Sequence, residues 1–276
     1  MALSTLAYIV AASLAGGVLS IIAAAGTLAL HPSWISKLVS FAVGALLGAV
    51  FLELLPHALE TGSAASVMGT VLIGLLLFFL LEKLVLWRHS HGDDETGVAA
   101  HDHGVEPAAK NPPTRALDGH GQTSGDEGRS GLMILIGNSV HNLCDGIVIA
   151  AAFLADTALG IATTFAIVSH AIPQQVGDFA VLLHSGYTRR KAFGFNLATG
   201  AATLVGALAG YIALADMQQL LPTVLAIAAA SLLYVAVADL IPSLHRRPEP
   251  LETAKQLALI GLGIAIIWTA HVFLKH

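Results

Sequence analysis

Apolar residues fall along this chain in eight long blocks, near 4–30, 36–59, 64–87, 131–154, 157–184, 191–214, 221–243 and 253–273. A helix needs roughly 20 mainly apolar residues to cross a bilayer, and every block offers that length. The pattern predicts an all-α integral membrane protein of eight transmembrane helices, a single domain over residues 1–276. Between the third and fourth blocks the character changes. Residues 88–130 are rich in Gly, Asp, Pro and His and have no apolar periodicity, so they read as a flexible loop. The other connections are short.

Composition agrees: 55% of residues are hydrophobic and only 11% charged, against about 25% charged in an average soluble domain. The formal charge of -5 says less than its distribution. Lys37 precedes helix two, Arg88, Lys110, Arg115 and Arg129 lie in or beside the long loop, Arg189, Arg190 and Lys191 join helices five and six, and Arg246, Arg247 and Lys255 join helices seven and eight. In an eight-helix chain these all fall on one side. The opposite loops carry Glu60, Asp156 and Asp216 and neither Lys nor Arg; Lys275, at the end of the chain, is the basic residue on that side. Basic loops stay in the cytoplasm, so the long loop is expected there and both termini outside. The first block lacks a basic leader and reads as a spanning helix, not a cleaved signal. The lone cysteine, Cys144, excludes an internal disulfide framework.

Polar residues inside the blocks carry the chemistry. His141-Asn142-Leu143-Cys144-Asp145-Gly146 lies in helix four and His170-Ala171-Ile172-Pro173-Gln174-Gln175-Val176-Gly177-Asp178 in helix five. His141 and Asp145 are four apart, as are His170 and Gln174, so each pair shares a helix face. Polar groups at membrane depth are costly and face a bundle interior or an ion path. Imidazole, carboxylate and amide oxygen suit a borderline divalent cation. Candidate ligands are His141, Asn142, Asp145, His170, Gln174 and Gln175. The alternative for each histidine is a buried hydrogen-bonded pair that only fixes packing; a second histidine motif on the next helix argues for metal. Glu53-Leu54-Leu55-Pro56-His57 in helix two is echoed by Asp239-Leu240-Ile241-Pro242-Ser243 in helix seven, which runs the other way. This echo predicts an inverted repeat, helices one to three against six to eight around helices four and five. Glu53, His57, Asp178 and Asp239 are the expected path-lining residues. In the loop region His89, His91, His101, His103 and His120 are expected to collect metal weakly. Glu82 and Lys83 read as a charge pair.

At these residues the chain resembles the ZIP (Zrt/Irt-like) family of divalent-metal transporters. The helix-four motif His-Asn-x-x-Asp/Glu-Gly matches at His141, Asn142, Asp145 and Gly146, and the helix-five motif His-Glu-x-Pro-x-Glu matches at His170 and Pro173. Gly177-Asp178-Phe179, Leu182-Leu183-His184-Ser185-Gly186, Leu81-Glu82-Lys83 and Trp87-Arg88-His89 resemble the bacterial branch, which implies a bacterial inner membrane. The resemblance implies a metal site between helices four and five and transport toward the cytoplasm. Zn²⁺ is expected as the transported ion, with Fe²⁺, Mn²⁺ or Cd²⁺ as alternatives, and no ion is expected as a cofactor. Expected partners are divalent metal ions, membrane lipid and, as an option, a second copy in a homodimer; nucleic acid is not one. Ala171 and Gln175 stand where the family has glutamates, which implies weaker binding, one ion in place of two, or altered selectivity. Two other readings compete: a transport-impaired relative that senses metal or assembles with others, and an intramembrane metal-dependent hydrolase. The chain has no His-Glu-x-x-His and no clear general base, so no enzyme is expected.

The charge pattern makes a direct prediction. Single cysteines replacing Asp156 and Asp216 should react with a membrane-impermeant maleimide added outside intact cells, and those replacing Arg115 and Arg247 should not. External labelling at Arg115 would reverse the orientation.

Overall fold

A computed structural model describes residues 2–26, 32–90, 124–184, 186–245 and 249–274. Among them are eight long helical rods: α1 (Ala2–Gly26), α2 (Pro32–Gly48, then a π-helical turn Ala49–Leu54, then Leu55–Thr61), α3 (Ala64–Ser90), α4 (Ser124–Ala155), α5 (Thr157–His184), α6 (Arg189–Leu214), α7 (Leu221–Tyr234, a π-helical turn Val235–Leu240, then Ile241–Leu244) and α8 (Pro250–Leu274). Six stretches are long and apolar enough to cross a membrane: Trp34–Thr61, Ala64–Leu84, Gly137–Ala155, Arg189–Leu214, Gln218–Leu244 and Pro250–Ala270. The apolar run described in α1, Ser4–Leu19, is shorter, and α5 is not among the six. From its middle onward it carries His170, Gln174, Gln175 and Asp178, which a helix surrounded by other helices can shelter from lipid. The loop expected over 88–130 is shorter at both ends, since α3 runs on to Ser90 and α4 begins at Ser124. His89 falls in the last turn of α3; His91, His101, His103 and His120 lie outside the described residues.

The rods pack as two related halves. α4 packs on α6 as α5 packs on α1; α2 packs on α8 as α7 packs on α3; α2 meets α5 as α7 meets α4. Exchanging one with six, two with seven, three with eight and four with five leaves this contact set unchanged. A single offset lays Ala49–Leu54 on Val235–Leu240, Glu53 on Asp239 and Pro56 on Pro242. The π turns have a local cause. Proline has no N–H to bond the preceding turn, and in lipid the freed backbone needs another partner. The N–H of Leu55 bonds the carbonyl of Val50, and that of Ile241 bonds the carbonyl of Ala236, each five residues back.

Two crossings are set by glycine. A Cβ on Gly146 of α4 would collide with the Thr203 carbonyl of α6, and one on Gly206 of α6 with the Leu143 carbonyl of α4. Gly44 of α2 and Gly263 of α8 are related in the same reciprocal way to Ile260 and Phe41. Small residues let membrane helices approach to backbone contact, where packing and not the hydrophobic effect drives association. The outer faces are apolar instead. Leu72, Ile73, Leu76 and Leu77 on α3, and Leu257, Leu262 and Trp268 on α8, are exposed, a surface suited to lipid and too apolar for water.

Close approach at Gly146 and Gly206 should be visible in stability. Gly146→Ala or Gly206→Ala should cost about 1–3 kcal/mol as an overpacked contact. Gly261→Ala, where an added Cβ meets nothing within 4 Å, should be neutral or gain up to about 1 kcal/mol from helix propensity. Melting in detergent checks both, and a Gly146→Ala protein as stable as wild type would refute the close crossing.

Candidate metal site

The helices bearing the two histidine motifs are joined by a single residue, Asp156. Its Oδ1 accepts from the N–H groups of Ala158 (2.8 Å) and Leu159 (3.0 Å), so it caps the start of α5 and turns the chain back against α4. This antiparallel return brings His141 and Asp145 of α4 beside His170 of α5. His141 Nε2 lies 3.3 Å from His170 Nε2. Asp145 Oδ2 lies 3.5 Å from His141 Nε2 and 3.4 Å from His170 Nε2. The three atoms form a nearly equilateral triangle. A tetrahedral zinc ion with bonds of about 2.0–2.1 Å holds its ligand atoms about 3.3–3.4 Å apart, so the triangle matches one face of that tetrahedron.

The surroundings prepare these atoms. His170 Nδ1 lies 3.3 Å from the Ala166 carbonyl; an N–H donated there leaves the Nε2 lone pair facing the triangle. Asp145 is almost fully buried, and neither of its oxygens has a hydrogen-bond partner among the described residues. A buried carboxylate without donors needs a cation. Of the three side chains, His141 is the open one, 21% exposed against 2% for Asp145 and 1% for His170.

The other expected residues are arranged differently. Asn142 donates from Nδ2 to the Asn138 carbonyl (2.9 Å) and accepts at Oδ1 from Thr203 of α6 (3.3 Å). Gln174 Nε2 reaches Asn138 Oδ1 (3.5 Å). Gln175 Nε2 donates to Thr199 Oγ1 (3.3 Å), toward α6 and away from the triangle. Asp178 hydrogen-bonds the Asn138 side chain and lies near Asp239, and Asp239 is within electrostatic reach of His141, His170 and Glu82. In α2, Glu53 is buried, and His57 Nδ1 lies 3.7 Å from Glu60. Glu82, expected to pair with Lys83, instead accepts a hydrogen bond from Tyr234 of α7; Lys83 lies over the Phe79 ring.

Sequence reading passed over α6. Asn196, Thr199 and Thr203, three and four apart, are buried and form the polar stripe that receives Gln175 and Asn142. Asn196 also donates to the Gln175 carbonyl (3.1 Å). That spacing in an otherwise apolar helix was the available signal.

A family model described as ZIP zinc transporter matches residues 2–270. Human zinc transporter ZIP13 is 32% identical over 265 residues, covering 84% of this chain and 70% of that protein. Human ZIP5 is 34% identical over 273 residues, covering 82% of this chain; the chain spans about half (50%) of ZIP5's length. The Drosophila melanogaster ZIP13 homolog is 31% identical over 276 residues, with 87% of this chain and 78% of that protein covered.

The geometry separates ligand from support. Asn142→Ala should lower stability by about 1 kcal/mol or more, as a buried hydrogen-bonded link between α4 and α6 is lost. Zinc affinity should change by less than about threefold, well short of the 10–100-fold typical even of outer-shell ligand partners. Melting and calorimetry on one preparation measure both; a large loss of affinity at unchanged stability would make Asn142 a ligand.

Proposed function

The chain belongs to the ZIP zinc transporter family and is an integral membrane transporter of divalent metal cations, and we propose that zinc crosses through His141, Asp145 and His170 on its way to the cytoplasm. The observation that carries this reading is the Asp145 carboxylate, buried without a hydrogen bond beside two imidazole nitrogens. Removing a charge from water costs several kcal/mol unless it is compensated, and a divalent ion compensates it. Two neutral imidazoles and one carboxylate leave the loaded site with a net charge near +1. Such a site holds a borderline ion without the excess negative charge that would trap it, which suits a carrier that must release its cargo.

The route follows from exposure. Asp239 is exposed while its counterpart Glu53 is buried, and His141 is the open flank of the triangle. With the basic loops in the cytoplasm, Asp178, Asp239 and Glu82 line the inner mouth and the outer mouth is shut. Asp178 and Asp239 then receive the ion after His141, and Glu53 and His57 lie on the outer approach. Alternating access exchanges the conformations of the two inverted halves. The loop histidines His89, His91, His101, His103 and His120 hold metal near the inner mouth. A bacterial inner membrane with both termini outside, membrane lipid around α3 and α8, and a homodimer complete the proposal. Ala171 and Gln175 remove carboxylates next to the triangle but not from it, which favours a working carrier over a transport-impaired relative.

Zinc uptake into proteoliposomes tests this. Asp145→Asn and His170→Ala should each lower both zinc affinity and uptake by more than about 100-fold, beyond what outer-shell partners contribute. Uptake that survives His170→Ala at the wild-type rate would show that the ion passes elsewhere.

A further inference from the structure

Behind the triangle, among α1, α4, α5 and α6, lies a small cavity of about 20 Å³ walled in part by Ser13, Asn142, Ala171, Gln175, Gly200 and Thr203. It has room for one water-sized occupant. Asn142 follows His141 in the chain and Ala171 follows His170, so the cavity adjoins the triangle without containing any of its ligands.

Its polar groups are deeply buried: Ser13 is 1% exposed, Gln175 2%, Asn142 4% and Thr203 7%. Their donors are largely committed elsewhere. The Asn142 amide nitrogen bonds the Asn138 carbonyl, the Gln175 amide nitrogen bonds Thr199, and the Thr203 hydroxyl donates to Asn142. Ser13 Oγ and Gln175 Oε1 have no hydrogen-bond partner among the described residues. The repeat sharpens this point. The offset that lays Glu53 on Asp239 lays Ser13 on Thr199, and Thr199 is satisfied twice, by Gln175 Nε2 and by donation to the Asn196 carbonyl. In the α1 half no described protein group does the same for Ser13.

We infer that this cavity is a binding site for a monovalent hard cation, sodium, whose occupancy alternates with that of the divalent cargo. Hydroxyl and amide oxygens are hard, neutral ligands. They contain no carboxylate, and sites for dehydrated divalent hard ions rely on carboxylates; a monovalent ion has far less hydration to replace. The Asp145 carboxylate lies on the same turn of α4 as Asn142, which lines the cavity. With the triangle empty, that carboxylate draws a cation into the adjoining cavity. With a divalent ion bound, the triangle is near +1 and repels one, and at low dielectric both effects are strong. The inference rests on the cargo occupying the triangle. The two ions then weaken each other's binding by the same factor, and sodium compensates Asp145 during the return of the unloaded carrier.

The test is zinc affinity of the full chain in detergent, by calorimetry, in sodium chloride and in choline chloride at equal ionic strength. Wild type should bind zinc about tenfold more weakly in sodium, within the usual range of coupling between two sites. Ser13→Ala and Thr203→Val should each remove most of that difference and leave affinity in choline unchanged. Equal wild-type affinity in the two salts overturns the inference and leaves the cavity to water. A sodium effect that persists in both variants also overturns it, because the ion then acts elsewhere. Zinc binding that survives His170→Ala sinks the triangle and this inference together, whereas an intact triangle without a sodium effect sinks this inference alone.

Discussion

A carboxylate buried among helices is costly unless positive charge lies beside it, and Asp145 is buried with only two imidazole nitrogens, 3.4 and 3.5 Å away, near its oxygens. Much of the surrounding structure keeps it in that condition. Asp156 turns α5 back along α4 so that His170 arrives opposite. The Ala166 carbonyl orients His170, and the Gly146–Gly206 crossing brings α4 into backbone contact with α6 beside the acid. Asn142, which has the amide protons to satisfy the acid, is held by Asn138 and Thr203 instead. The isolation of this acid is thus built from packing as much as from residue identity.

The two π turns flank this centre, one in each half. A π turn packs one residue more into its loop than an α turn, and such turns recur at functional positions. Here each contains an acidic residue, Glu53 or Asp239, followed by the proline that provokes it. The halves share a fold but not a state, since one acid is buried and the other exposed.

Much of the fold was legible because lipid enforces a simple pattern: long apolar blocks gave the spans, and α5 begins and ends where its block does, at Thr157 and His184. Hydropathy marks where lipid ends, not where backbone hydrogen bonding ends. That is why α4 starts at Ser124, seven residues before its apolar block, through polar residues that still bond as helix. The triangle was legible from i, i+4 spacing on two adjacent blocks. The partners of Asn142 and Gln175 were not, because an amide on such a helix face looks the same whether it turns to an ion or to a neighbouring helix. What decides between them is Thr199 and Thr203 on α6, far away in sequence. Glu82 was misread for the same reason: its partner Tyr234 lies on α7, while Lys83 is merely its neighbour in the chain.

Three spans to a repeat is an odd number, so the two copies enter the bilayer pointing opposite ways. Equivalent connecting segments therefore face opposite compartments, and the charge bias across a membrane acts on them with opposite sign. Lys37, near the start of α2, is answered at the same offset by the uncharged Thr223 near the start of α7. Descent from a common ancestor is thus erased fastest in the connections, where selection pulls the copies apart. It survives in the bilayer interior, where carboxylate, two aliphatics and proline answer to the same solvent from either direction. An alignment search for ancient duplications of this kind does best by discarding the loops and comparing only what lipid has touched.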